Sequence, residues 1–257
     1  MSENGQSLNS TDFFKICNLA NDLNDLVNAK YLEIFVSNYS IVSRYKIIFE
    51  KENFMHLLGL KPSQKLNSYA NLTNTQGKKL FYDLALLNRL KLTDADSIHT
   101  IGNTRQKIIA CNALSKISEI GGIFSDANKA NHLTINADYF IAINNMLIAL
   151  RKVDKNVCIP VSAQLTNRHK KVNLHNESKI IACKIVNSSI DFEFTYVNNS
   201  ISKEQAQQVI ASQLIPFHHF DVLENENQRR LLSRSMGILV TDKLIEKQKC
   251  TIHGSAS

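Results

Sequence analysis

Several side chains in this sequence can move protons or hold an anion. His56 is the only ionisable group in the apolar phrase Phe54-Met55-His56-Leu57-Leu58-Gly59-Leu60. An imidazole titrates near neutrality, at about 6.5, so it can take a proton from a hydroxyl or return one to a leaving oxygen. The same pattern also fits a core histidine hydrogen-bonded among apolar neighbours. Arg44 and Lys46 lie just upstream, where they suit phosphate binding or simply the charged face of a half-exposed strand. Arg105 falls in Thr104-Arg105-Gln106-Lys107-Ile108-Ile109, in the first turn of a predicted helix. Its guanidinium is shaped to clamp a phosphate with two hydrogen bonds, although a surface arginine has the same signature. Ser162, near the end of a predicted strand, and Tyr139 each bring a hydroxyl that can donate to a phosphate oxygen or satisfy nearby backbone. The densest basic run is Asn167-Arg168-His169-Lys170-Lys171, with His175 close by. Arg168, His169, Lys170 and Lys171 would suit contact with an RNA backbone, or form a solvated loop.

Other chemistries have less support. His218 and His219 are adjacent, so on an extended segment they point to opposite sides and rarely chelate one metal together; a metal reading there needs outside ligands, with Asp221 and Glu224 nearby. The aspartates Asp94, Asp96, Asp126, Asp138, Asp154 and Asp191 are scattered rather than clustered. No phosphate-cradling glycine loop, zinc-protease motif or nucleophile elbow occurs. The expectation is therefore no metal and no cofactor. The five cysteines form no C-x-x-C pair, and Cys111, Cys158 and Cys183 sit in apolar runs, so they read as reduced, buried small hydrophobes. Thirty Lys and Arg against 23 Asp and Glu leave a net charge of +7, which favours anionic partners, nucleic acid before a membrane surface. The first residues lack the basic and apolar segments of a secretion signal, and no apolar run is long enough to span a membrane. These features predict a cytoplasmic protein.

The elements that must position these residues can be read from periodicity. Ser10 and Thr11 are candidate caps for a helix beginning at Asp12 and running through Val27. Tyr31–Val36 is a short apolar run, and Ile41–Glu50 reads as a strand. Asn53 is a candidate cap for Phe54–Leu58, with Gly59 as its stop. Gln76–Leu92 is amphipathic, Thr93-Asp94 predicts a helical turn through Ile98, and Asn103 or Thr104 begins a longer helix that ends at Gly121-Gly122. The pattern then turns to strands: Leu133–Ile135, Ala137–Ile143, Met146–Val153 and Val157–Leu165, with turns at Asn144-Asn145 and Asp154-Lys155-Asn156. Met146–Val153 also fits a helical piece. Lys179–Val186 and Ile190–Val197 form a further hairpin, Ser202 caps Lys203–Leu214, and Asn225–Gln248 reads as a long helix, apolar on one side and basic on the other. The fold class is α+β: N-terminal helices packed on an antiparallel sheet, followed by a helical C-terminal extension.

The strand bearing Tyr45-Lys46, the phrase Phe54-Met55-His56-Leu57-Leu58-Gly59-Leu60, the helix bearing Arg105 and Ile108, the phrase Ile135-Asn136-Ala137-Asp138-Tyr139-Phe140 and the strand ending Pro160-Val161-Ser162 occur in that order. This order resembles the phage-associated nuclease-like domains of the barnase/EndoU/colicin-E5-D/RelE class, fourth group, over residues 30–170. The resemblance implies a helix-plus-antiparallel-sheet nuclease domain, residues 1–175, with residues 176–257 as an added hairpin and helical extension or a continuation of the same domain. It also implies a metal-independent endoribonuclease of the kind found in toxins and mobile elements. His56 would then be general acid or base, and Arg105, with Arg44 or Lys46, would stabilise charge on the phosphoryl oxygens. The partners expected on this reading are RNA, tRNA included, an antitoxin or immunity protein, and a second copy of the chain through the C-terminal helix. The rival reading is a non-catalytic phage or mobile-element module that binds nucleic acid or a protein.

Overall fold

A computed structural model describes residues 8–38, 41–63, 72–98, 101–127, 136–166, 175–187 and 194–214. The strand expected at 133–135, the basic run 167–171, the start of the strand expected at Ile190, the His218-His219 pair and the helix expected over 225–248 lie outside the described residues.

Helix α1 spans Ser10–Asp22, and its cap is Asn9 rather than Ser10 or Thr11. The Asn9 side chain accepts from the Asp12 N–H at 3.0 Å, and the Asp12 carboxylate accepts from the Asn9 N–H at 3.0 Å. A cap at Ser10 or Thr11 would place Phe13 or Phe14 three residues on, where no acceptor exists to complete this reciprocal box. The helix stops at Leu23 and a short α2, Asn24–Asn28, follows where periodicity predicts one helix through Val27.

Strands β1, Tyr31–Asn38, and β2, Ile41–Ile47, pair antiparallel. Six consecutive residues of β1 are buried, because both of its faces are covered. Such a strand shows no polar alternation, so its sequence reads only as an apolar run. Helix α3 covers Lys51–Leu57, and Gly59 closes it at φ 70°, a conformation that glycine adopts without strain. Strand β3, Leu60–Pro62, comes next, and α4, Asn74–Leu86, is capped by a Thr73–Gln76 box. Residues expected as a helical turn instead form β4, Ala95–Ser97, which pairs with β3. A long-range ladder overrides a weak local helical preference there. Helix α5 runs over Ile101–Ile120.

The remaining strands are β5, Ile123–Asp126, β6, Tyr139–Ile143, β7, Met146–Asp154, β8, Val157–Leu165, β9, His175–Val186, and β10, Tyr196–Val197. Asn144, at φ 54°, makes the β6–β7 turn as its sequence predicts. Helix α6, Lys203–Leu214, carries the expected cap: Ser202 Oγ accepts from the Gln205 N–H at 3.2 Å.

Eight strands form one sheet in the order β1-β2-β8-β7-β6-β5-β9-β10, and β9 also pairs with β1, so the pairings run round a closed circuit. The sheet is mostly antiparallel, but the β2–β8 junction is parallel, at Lys46 with Val157 and Ile47 with Cys158. The boundary expected after residue 175 falls where β9 begins. Because β9 bridges β5 and β1, residues 175–186 are integral to this sheet. Helix α5 packs on β7, β8 and β9, α1 packs on α4 and α5, and α3 packs on α4 and β8. Fully buried Tyr82 ties α4 to α1 by donating to the Ala20 carbonyl at 3.3 Å, and its ring meets Phe54 edge-on at 5.2 Å. The four described cysteines, Cys17, Cys111, Cys158 and Cys183, are free and buried.

One charged group is buried where the circuit closes. Glu33 on β1 is only 2% exposed and lies directly opposite Lys184 of β9. Its carboxylate meets Lys184 Nζ at 3.2 Å and Arg44 Nε at 3.3 Å, which links three adjacent strands. Removing the acid leaves a buried cation without its counter-charge, so Glu33→Ala is expected to cost about 3 kcal/mol. Glu33→Leu combined with Lys184→Met is expected to cost less than Glu33→Ala alone. Urea unfolding of the three proteins measures both differences; a Glu33→Ala variant as stable as wild type would contradict the closure role.

Candidate active site

His56 is placed by a simple angular argument. At about 100° per residue, Phe54, Met55, Leu57 and Leu58 share one side of α3 and its end, and His56 lies about 180° from their mean direction. All four apolar side chains are buried and His56 is exposed. Burial of the four, each contributing about 1.5–3 kcal/mol, holds the imidazole outward. It is therefore not a core histidine.

The ring faces a cleft of about 600 Å³ between the end of α3, the first half of α5 and strands β7 and β8. Lys107, Arg151, Ser162, Asn103, Gln106 and Gln164 line it with His56, alongside the apolar Ile98, Val161 and Leu165. None of the described residues lining the cleft is acidic.

A bulge in β8 shapes one wall. Ser162 pairs with Ala149 and Pro160 with Leu150, so Val161 is an extra residue without a partner of its own. Pro160 lacks an N–H and is tolerated at such a break in the ladder. The bulge re-aims the strand, and consecutive residues Val161 and Ser162 both reach the cleft. Ser162 is 8% exposed and accepts a hydrogen bond from Lys107 Nζ at 2.9 Å. Burial holds the Lys107 ammonium below its ordinary pKa, with Cys111 acting weakly in the opposite sense. A lysine in this state gives up its proton more readily than a solvated one.

The other expected site residues lie elsewhere. Arg105 is two positions from Lys107, about 200° around the helix, so the two face opposite sides of α5. Arg105 turns to α1, where its Nη2 meets Asp12 Oδ2 at 2.9 Å and its Nε donates to both carboxylate oxygens at 3.0 and 3.1 Å. Asp12 is 4% exposed. Burial alone would raise its pKa, but the Arg105 bonds, the Asn9 N–H and the charges of Arg105 and Lys15 outweigh this and hold it below 3.8. Arg44 is engaged with Glu33 and donates to the Ser212 carbonyl of α6 at 2.6 Å. Lys46 sits over the Tyr31 ring at 4.6 Å. Tyr139 packs in a ring cluster with Phe124 and Tyr45, at 5.0 and 5.4 Å, away from the cleft lining. Arg168, His169, Lys170 and Lys171 lie outside the described residues. The cleft thus brings together His56 and Ser162 from the expected set. Sequence reading missed Lys107 and Arg151; helix phase relative to the apolar face of α5 was the available signal for Lys107.

With this geometry in place, the chain matches the family model described as phage-Barnase-EndoU-ColicinE5/D-RelE like nuclease 4 over residues 15–200, and it belongs to that family. The match is wider than the expected 30–170 and takes in most of α1 as well as β9 and β10. No curated protein and no solved structure matches the chain. No helix among the described residues is long and apolar enough to cross a membrane.

Arg105→Ala is expected to lower the melting temperature at neutral pH. Asp12 has a depressed folded pKa, so its contribution is present above the ordinary 3.8 and is lost as pH falls through the lower folded value. The gap between wild type and variant should therefore close in acid. Melting curves from about pH 7 to about pH 3 test this, and an unchanged gap at the acid end would count against the pairing.

Proposed function

We propose that this protein is an endoribonuclease that cleaves RNA by attack of a ribose 2′-oxygen on the adjacent phosphate. The observation that carries the reading is the composition of the cleft: an outward imidazole beside Lys107 and Arg151, with no carboxylate among the described residues lining it. A site of this charge attracts a phosphodiester and keeps its developing negative charge near fixed cations. Membership of a nuclease-like family makes nucleic acid the natural substrate.

On this reading His56 exchanges the proton of the reacting hydroxyl, a role that requires a titratable ring open to substrate. Arg151 cannot lose its proton and so serves as a permanent charge for a phosphoryl oxygen. Arg105 holds the helix that presents the site instead of touching substrate. On this reading the imidazole and the fixed cations lining the cleft supply the proton transfer and the charge stabilisation that the reaction needs. The family's phage association supports a role as a toxin or effector of a phage or mobile element, with an antitoxin or immunity protein as the partner that a producing cell would need.

Purified wild type and His56→Ala, incubated with total RNA and tRNA in EDTA, test the proposal. Wild type is expected to leave 2′,3′-cyclic phosphate ends. His56→Ala should lose roughly 10²-fold or more of the rate with an unchanged melting temperature, since its side chain is exposed. A fully active His56→Ala would remove the histidine from the mechanism. RNA bound but not cut by wild type would favour the non-catalytic binding module instead.

A further inference from the structure

Cleavage by a 2′-oxygen needs two proton transfers, one from the nucleophile and one to the leaving oxygen. Of the described residues lining the cleft, His56 and Lys107 carry the two side chains of a type suited to general acid–base work; a guanidinium holds its protons too tightly for that role, and the amides of Asn103, Gln106, Asn136 and Gln164 are neither acids nor bases. The two sit on different walls, His56 at the end of α3 and Lys107 on α5. Lys107 is half-buried, and its Nζ is fixed by donation to the nearly buried Ser162 hydroxyl at 2.9 Å. That bond uses one of the three N–H groups of an ammonium.

We infer that Lys107 is the general acid that protonates the leaving 5′-oxygen, with Ser162 as its positioning residue. The assignment rests on the RNA-cleavage reading above. Neutral His56 takes the proton from the 2′-hydroxyl as the bond from the 2′-oxygen to phosphorus forms. The bond from phosphorus to the 5′-oxygen breaks with its electron pair on oxygen, and Lys107 Nζ gives that oxygen a proton. The products are a 2′,3′-cyclic phosphate and a free 5′-hydroxyl. His56 then loses its proton to water and Lys107 regains one, so no other reactant is consumed. Burial favours the neutral amine that this step leaves behind.

The test separates proton donation from simple charge. Lys107→Arg keeps the cation but replaces the ammonium with a guanidinium, which holds its protons far more tightly, and a substrate with sulfur in place of the leaving 5′-oxygen departs without needing protonation. On ordinary RNA, Lys107→Arg should lose about 10²-fold or more; on the sulfur-linked substrate the loss should shrink to less than about tenfold. His56→Ala should lose activity on both substrates. Ser162→Ala, which keeps Lys107, should lose less than Lys107→Arg on ordinary RNA and should also recover with sulfur, and it serves as the second variant should Lys107→Arg fold poorly. Equal losses on both substrates would make Lys107 a charge stabiliser and overturn the assignment, as would full activity of Lys107→Arg on ordinary RNA. Wild type that cleaves neither substrate would overturn the RNA-cleavage reading and this assignment with it, whereas active wild type with unrescued variants would overturn the assignment alone.

Discussion

A carboxylate buried at the start of the first helix fixes the rotation of the fifth. Asp12 closes the cap of α1 and lies at 4% exposure, where an unpaired charge is costly. Arg105 meets both of its oxygens and so sets which side of α5 faces α1. Lys107, about 200° further round, is thereby turned to the cleft, where Ser162 receives it. The cap of one helix, the register of another and the contents of the cleft are in this way one linked arrangement.

The sheet provides the second half of the frame. Because β9 reaches across to both β1 and β5, the strands form a closed circuit, and the cleft wall made by β7 and β8 is supported from either side. Glu33 fastens this closure through Lys184 and Arg44, and Arg44 in turn holds α6 through Ser212. Cations with the sequence signature of phosphate ligands are therefore used for assembly. The cations that line the cleft come from positions that look ordinary in sequence.

Much of the fold was legible from pattern. The β6–β7 hairpin with its Asn144-Asn145 turn, the extent of β8 and the Ser202-capped α6 follow directly from alternation, turn chemistry and capping. β1 was legible only as an apolar run because burial on both faces erases alternation, and β4 was hidden because its pairing with β3 is a long-range fact. At the site, the outward turn of His56 could have been computed from its four apolar neighbours, since helix phase alone opposes it to them. Arg105 looked the better phosphate ligand because guanidinium chemistry suits phosphate. The choice between it and Lys107 depended on where Asp12 sits, 93 residues earlier, and no local spacing carries that. Ser162 was found as a strand-end hydroxyl, whereas the bulge at Val161 that delivers it needed the partner strand to be known.

The central claim is that a phosphodiester sits between His56 and Lys107. The most direct measurement is a heteronuclear NMR titration with a short RNA whose 2′-hydroxyls are methylated, so that it binds without being cut. The expected result is that ring signals of His56 and the Nζ-attached signals of Lys107 shift first and saturate together, with neighbouring shifts confined to the cleft walls on α3, α5, β7 and β8. Shifts centred on α1 and α4, leaving His56 and Lys107 unmoved while RNA binds, would contradict it.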